Sequence, residues 1–341
     1  MEPVHVIAEY GQTCKGDLEQ AHAQVDAAKA AGATAYKTQL LTPELIATAD
    51  AGRYWTHGKA KTQRQSFEAS GVVPYTAWSE IVDHCGRADI DFIASPFDLY
   101  AVEILAQWPG VMFKIASGDL TNVPLLRAVA DATDRPIVVS TGGATESEIL
   151  RAACELGSSK VIWLACTLIY PTPLHCAELE RIRTLAHLIG QSNWSQNARQ
   201  FGYSDHVGKP ASAMGAVFMG AQVLEVHTTL TPGDDTSCPD DAMALDPVHL
   251  ADYVRAANTA AQMSGDGTLA PLPGEVPARH GAGRSIRFAR ALPAGHRLTA
   301  SDLICLRPAD GMSPLEWDSV VGAELTADVH AEEPVRAGVV R

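Results

Sequence analysis

Residues 111–133 read VMFKIASGDLTNVPLLRAVADAT. The opening VMFKIAS from Val111 is a short apolar run of the kind that forms a buried strand, and VPLLRAVADAT from Val123 sets apolar residues at helical spacing along one side. Together they spell one strand followed by one helix. Seven further runs of this type recur, each followed by a helical pattern: VHVIAEY from Val4, ATAYKTQ from Ala33, DFIASPF from Asp91, PIVVSTG from Pro136, VIWLACT from Val161, FGYSDHV from Phe201 and QVLEVHTT from Gln222. Strands alternating with helices imply a parallel sheet, and eight such units are the count of a (β/α)8 TIM barrel. A doubly wound open sheet is the rival. It would more often show a glycine fingerprint after its first strand, and GQTCKG from Gly11 is not GxGxxG.

Beyond the helix that ends near Met263 the text becomes SGDGTLAPLPGEVPARHGAG, rich in Gly and Pro and without periodicity. This predicts a barrel domain over 1–264, a Gly/Pro-rich linker over 265–283 and a small, mainly-β module over 284–341. A module of that size is near the lower limit for an independent core.

The 341 residues are 46% hydrophobic and 19% charged, with no apolar run long enough for a membrane span. The start, MEPVHVIAEY, lacks the layout of an export signal, so a cytoplasmic location is expected. A net charge of −14 excludes a general nucleic-acid binder, although a locally basic pocket can still hold a small anion. Seven scattered Cys without a CxxC pair suit reduced thiols better than a disulfide framework or a zinc knuckle.

In a TIM barrel the working residues lie at the C-terminal ends of the strands. Here those ends carry Glu9, Lys37 with Gln39, Ser95, Lys114 with Ser117, Ser140 with Thr141, Thr167 with Tyr170, Ser204 with Asp205 and His206, and Glu225 with His227. A single polar strand end is usually a solvated terminus. Eight converging on one rim are not explained that way, nor are two lysines embedded in AYKTQ and MFKIAS, because a buried Lys is costly unless an anion pairs with it. Two lysines and several hydroxyls describe a pocket for phosphate and carboxylate. His206 and His227, ending neighbouring strands, are candidate ligands for a divalent metal, which a carboxylate such as Glu225 would supplement; structural histidines are the alternative. Within GYSDH, from Gly202 to His206, contiguous residues point to alternate faces, so Ser204, Asp205 and His206 cannot form a catalytic relay among themselves.

The segments AEYGQTCKGDLEQA, KTQ, SPFD, FKIASGDLTNVPLL, VVSTGGAT, YPTP, GYSDH and EVHTTL, in this order, resemble the sialic acid synthase (N-acetylneuraminate synthase) family. The tail, with PAGHRLTASDL, LRPADGMSP and VVGAEL, resembles that family's C-terminal antifreeze-like SAF domain. The resemblance implies a transferase that condenses phosphoenolpyruvate with an open-chain aldose such as N-acetylmannosamine, giving a nonulosonic 2-keto acid and phosphate. It implies a divalent metal, Mn2+ or Mg2+, on His206 and His227. Phosphoenolpyruvate falls to Lys37, Ser95, Lys114, Ser117, Ser140 and Ser204, and the sugar to Gln39, Tyr170, Asp240 and Arg307. Glu9 and Glu225 are assigned to the reacting centre, and Asp205 to orienting its neighbours. Because Arg307 lies in the tail, the resemblance also implies a domain-swapped homodimer.

Four departures fall around the expected mouth. GQTCKGD replaces a loop close to GxNHNGD, Leu168 stands where the family generally has a polar residue, Asp241 replaces a His, and Thr228 replaces a Phe. They put the aldehyde's identity in doubt more than the reaction type. Cys14 has no neighbouring base in sequence and reads as a substituted loop residue and not a nucleophile. Two other readings stay open: a Schiff-base barrel aldolase using Lys114 or Lys37, and a catalytically silent sugar- or partner-binding paralogue.

Overall fold

The computed structural model describes residues 3–55, 59–193, 198–233, 240 and 243–341, with residues 198 and 199 described by backbone alone. It divides into two compact units, Met1–Gly265 and Asp266–Arg341.

In the first unit, strands β1 (His5–Glu9), β2 (Ala35–Leu40), β3 (Asp91–Pro96), β4 (Met112–Ile115), β5 (Ile137–Ser140), β6 (Val161–Cys166), β7 (Ala198–Asp205) and β8 (Val223–His227) follow one another round a closed barrel. Every neighbouring pair is parallel, and β1 closes on β8 with His5 opposite Val223 and Glu9 opposite His227. The expected TIM barrel is therefore the observed fold. Among the described residues of this unit the helices are α1 (Leu18–Ala30), α2 (Pro43–Ile46), α3 (Gln63–Ala69), α4 (Ser79–Ala88), α5 (Leu99–Leu105), α6 (Val123–Ala132), α7 (Glu146–Leu156), α8 (Arg181–Gly190), α9 (Pro210–Phe218) and α10 (Pro247–Ser264). Their starts are written in sequence. The side chains of Asp17, Asn122 and Asp246 accept backbone N–H groups of α1, α6 and α10, and Thr145 with Glu148 forms a capping box on α7.

The barrel interior is layered, because strand side chains alternate with period two. Ile7, Ala35, Ile93, Val138, Ile162, Leu164 and Val223 pack together as an apolar layer, with Met112 against it. Two residues further along their strands stand Glu9, Lys37, Ser95, Lys114, Ser140, Cys166 and Glu225. One layer of core thus supports one layer of chemistry. Gly202 faces Val223 across β7 and β8, and a Cβ there would come within 1.9 Å of the Val223 carbonyl oxygen, so this position has no room for a side chain. The outer faces of the strands meet the helices in a larger core that includes Val6, Tyr36, Phe92, Trp163 and Tyr203.

In the second unit, residues 273–282, expected to be irregular linker, form a 3-10 turn (Pro273–Glu275) and helix α11 (Val276–Ala282). The sequence signal was there: Pro277 sits in the first turn and Arg279 and His280 in the last. Strands β9 (Ser285–Phe288) and β10 (Leu303–Leu306) pair antiparallel, and helix α12 (Trp317–Val320) follows. Ile286, Phe288, Leu298, Leu303, Val320, Leu325, Val329 and Val335 give this unit its own core. Buried Asp302 is fully engaged, accepting from Arg290 at 2.7 Å, the Thr299 amide at 2.9 Å and its hydroxyl at 2.7 Å, with His296 at 3.0 Å.

Candidate active site

A cavity of about 340 Å³ opens at the C-terminal ends of the barrel strands. Glu9, Lys37, Gln39, Ser95, Lys114, Ser117, Ser140, Tyr170, Ser204, His206, Glu225, His227 and Asp240 all line it. Thr141, Thr167 and Asp205, also singled out at the strand ends, are not among its lining residues, and Arg307 belongs to the second unit.

Both embedded lysines are buried and both have carboxylate partners. Lys37 Nζ contacts Glu9 Oε2 directly and lies 3.3 Å from Glu225 Oε1, while Lys114 Nζ lies 3.5 Å from Glu225 Oε2 and donates to the Ile115 carbonyl at 3.0 Å. Strand register explains the first contact, since Glu9 is level with Lys37 on β1 and β2, and it also sets Ser204 level with Glu225 on β7 and β8. Burial works against the charge on Lys37, but Glu9 and Glu225 outweigh it and raise the ammonium's pKa. For Lys114 burial wins, helped by the like charge of Lys37, and the pKa is lowered. Glu225 therefore serves as counter-ion to both lysines, a different place from the expected supplement to the histidine pair. The contacts of Glu225 to the two lysines are long, so an incoming oxyanion can compete for both ammonium groups. Among the described residues the buried Ser140 Oγ has no hydrogen-bond partner, and the Gly142 amide donates to Ser117 Oγ at 3.0 Å, fixing that hydroxyl.

On the other side of the cavity, the His206 and His227 ring centroids are 5.3 Å apart. His206 Nδ1 lies 2.8 Å from the Thr167 carbonyl, which fixes the proton on that nitrogen and leaves Nε2 as a lone-pair donor. Burial opposes a charge on this ring, yet the neighbouring Cys166 sulfur and the Thr167 carbonyl hold its pKa up to about 9, so a proton and a cation compete for it. Burial and the His206 charge push His227 down to about 3, which keeps it neutral. Among the described residues its buried Nδ1 has no hydrogen-bond partner, and it lies 3.6 Å from Asp240 Oδ2. Ligand atoms of Glu9, His227 and Asp240 lie within 4.8 Å of one another. An orphaned imidazole nitrogen beside two carboxylates is a donor set that suits a divalent cation. Gly11 makes this cluster possible: its φ is +51°, and a Cβ there would come within 2.5 Å of Asp240 Oδ2.

GYSDH divides as alternation requires. Ser204 and His206 face the cavity, whereas Asp205 accepts from the Val207 and Gly208 amides at 2.7 and 3.2 Å, Ser212 Oγ at 2.6 Å and Tyr253 OH at 2.9 Å, tying the strand end to the helices behind it. Of the four departures, Gln12 of the altered loop and Leu168 line the cavity. Cys14 packs into the core, its thiol pushed up by burial, and Thr228 is buried behind the site. Asp241 lies outside the described residues. Sequence reading missed Ile46, Tyr54, Trp55 and Phe67, which also line the cavity. They come from the stretch after β2, where an adjacent Tyr-Trp pair amid polar residues was the available signal.

Fold and cavity define a TIM-barrel protein with a lysine–carboxylate floor and an imidazole–carboxylate cluster at one mouth. The NeuB family model matches residues 24–269 and the SAF domain model residues 283–341. The chain belongs to the NeuB family and ends in a SAF domain. It is 30% identical to the N,N'-diacetyllegionaminic acid synthase of Legionella pneumophila, over 96% of this chain and 91% of that protein. It is 28% identical to the N-acetylneuraminate-9-phosphate synthase of Drosophila melanogaster, over 98% and 95%. Among solved structures, the N-acetylneuraminic acid synthetase of Leptospira borgpetersenii, in complex with citrate, superposes with a TM-score of 0.69 at 29% identity, covering 81% of this chain and 90% of that one. Spore coat polysaccharide biosynthesis protein SpsE of Bacillus subtilis gives 0.62 at 26% identity, over 99% and 95%.

Proposed function

We propose that the protein condenses phosphoenolpyruvate with the open-chain aldehyde of an N-acylated aldose, giving a nonulosonic 2-keto acid and phosphate. The observation that carries this reading is the pair of buried, carboxylate-matched lysines among serine hydroxyls, set beside a neutral imidazole–carboxylate cluster in the same cavity. Lys37, Lys114, Ser95, Ser117, Ser140 and Ser204 hold the phosphate and carboxylate of phosphoenolpyruvate. Gln39, Tyr170 and Asp240 hold the sugar. A divalent cation, Mn2+ or Mg2+, at His206 and His227 with Glu9 or Asp240 would polarise the acceptor carbonyl as a Lewis acid.

In the reaction, C3 of phosphoenolpyruvate attacks the aldehyde carbon, a C–C bond forms, and the aldehyde oxygen takes a proton. Water adds to the cationic C2, and the tetrahedral centre collapses to a ketone as its bond to the phosphate oxygen breaks. Lys37 and Lys114 stabilise the charge on the departing phosphate. Glu9, joined to Lys37 and accepting from Gln39 at 2.8 Å, is positioned to take the proton of the added water. The charge balance supports a cation requirement. Lys37 and Lys114 are already offset by Glu9 and Glu225, so a substrate carrying about three negative charges needs further positive charge at the site.

The test is incubation with phosphoenolpyruvate, Mn2+ and a panel of N-acylated aldoses, following phosphate release and product mass. Phosphate release that depends on both the sugar and the cation is expected, and release without a new C–C-bonded product would overturn the reading.

A further inference from the structure

The cavity has a second chemistry away from its charged floor. Between β2 and α3 the chain contributes Ile46, Tyr54 and Trp55, and α3 adds Phe67. The rings run in series. The Tyr170 centroid is 4.1 Å from that of His206, Tyr54 is 5.9 Å from Tyr170, Trp55 is 4.8 Å from Tyr54, and Phe67 is 6.2 Å from Trp55. The series starts at the imidazoles, where the synthase reading sets the aldehyde, and leads away from them.

No guanidinium and no further ammonium joins this wall among the described lining residues, since the lysines there are Lys37 and Lys114 of the floor. Arg64, on the same helix as Phe67, directs its guanidinium to the Ala47 carbonyl, at 2.7 and 3.0 Å. A phosphate brought to this wall would lose water without gaining a counter-charge, and a hydroxyl packed on a ring face would lose a hydrogen bond. Methyl groups gain there. Gln12 and Gln63 also line the cavity; their amide nitrogens donate to the Gln39 and Gly52 carbonyls, at 3.1 and 2.7 Å, and each carboxamide oxygen can accept an amide N–H of a ligand.

We infer that the wall of Tyr54, Trp55 and Phe67 determines acceptor specificity, selecting a neutral aldose in which acylamino groups and a terminal methyl replace hydroxyls, in preference to a polyhydroxylated sugar or a sugar phosphate. This rests on the synthase reading above. Loss of a methyl or methylene contact in an apolar pocket changes kcat/KM by about 10–200-fold, which sets the scale of discrimination.

The experiment uses the full chain with Mn2+ and phosphoenolpyruvate, and three acceptors: N-acetylmannosamine, its 6-phosphate and a diacetamido-trideoxyhexose. The deoxygenated sugar should give a kcat/KM at least about 10-fold above either of the others. Trp55→Ala should erase most of that preference through KM while leaving calorimetric phosphoenolpyruvate binding unchanged. Trp55 is buried, so Tyr54→Ala, at a residue that is 60% exposed, reads the same wall without disturbing the core. Preference for the hydroxylated or phosphorylated sugar, or an unaltered preference in both variants, overturns the wall's role and leaves the synthase reading standing. Failure of all three sugars to release phosphate overturns both.

Discussion

Glu225 holds its charge against burial, because Lys114 and Lys37 bring its carboxyl down to about 2. The ammonium groups are thus held in a buried layer before any substrate arrives, and removing one has a direct consequence. Lys114→Met should abolish calorimetric binding of phosphoenolpyruvate, since a desolvated anion loses a charge that water cannot replace. Equal binding by the variant and the wild type would remove Lys114 from the site. His227→Ala should abolish turnover at saturating Mn2+ while shifting the melting midpoint by no more than a few degrees, because it deletes an orphaned nitrogen of the candidate metal cluster. Full turnover by that variant contradicts the assignment. Part of this was legible at the level of residues: a Lys inside an apolar run advertises an anionic partner, and both lysines have one. Which carboxylate serves the lysines was not, because it depends on the register between strands far apart in sequence. The aromatic wall was hidden for a related reason, as Tyr54, Trp55 and Phe67 lie outside any strand end.

The elements were legible where a period ran through them. Each of the eight barrel strands falls on a run visible in the sequence, and the apolar-then-polar order along VMFKIAS and VLEVH anticipates the two interior layers. Helix α11 was overlooked despite Pro277 in its first turn and Arg279 and His280 in its last, because no apolar period runs through the Gly-rich text around it. Gly202 was equally silent, since its need arises only when β7 meets β8. Gly202→Ala should destabilise the barrel by at least the roughly 1–3 kcal/mol typical of overpacking, because the obstacle is a backbone carbonyl that cannot swing aside. A melting midpoint equal to wild type would show that the strands separate freely. In the second unit, His296, Thr299 and Arg290 hold the Asp302 carboxyl well below the usual aspartate range. A depressed folded-state pKa contributes stability that is present above the unfolded value of about 3.9 and is lost as pH falls through the folded value. Unfolding of this unit should therefore become easier below about pH 4, and Asp302→Asn should flatten that dependence. An unchanged acid profile in the variant would contradict the role of Asp302.

For the whole molecule, the order of a barrel and a smaller, separately cored unit was readable because the period of the text changes after Met263. Arg307, in the second unit, is proposed to serve the mouth of a partner's barrel, and re-association of His227→Ala chains with Arg307→Ala chains tests this. Random pairing should restore about a quarter of wild-type activity if the arginine acts on the partner, and none if it acts on its own chain. The central claim is that a C–C bond forms at C3 of phosphoenolpyruvate while phosphate departs with the bridging oxygen. Its most direct measurement uses phosphoenolpyruvate carrying heavy oxygen in the C2–O–P bridge, turned over with Mn2+ and the accepted aldose and followed by mass spectrometry. The account predicts all of the label in phosphate and a keto-acid product that contains both carbon skeletons; label retained in pyruvate or in the keto acid, or phosphate released at the same rate without the sugar, would contradict it.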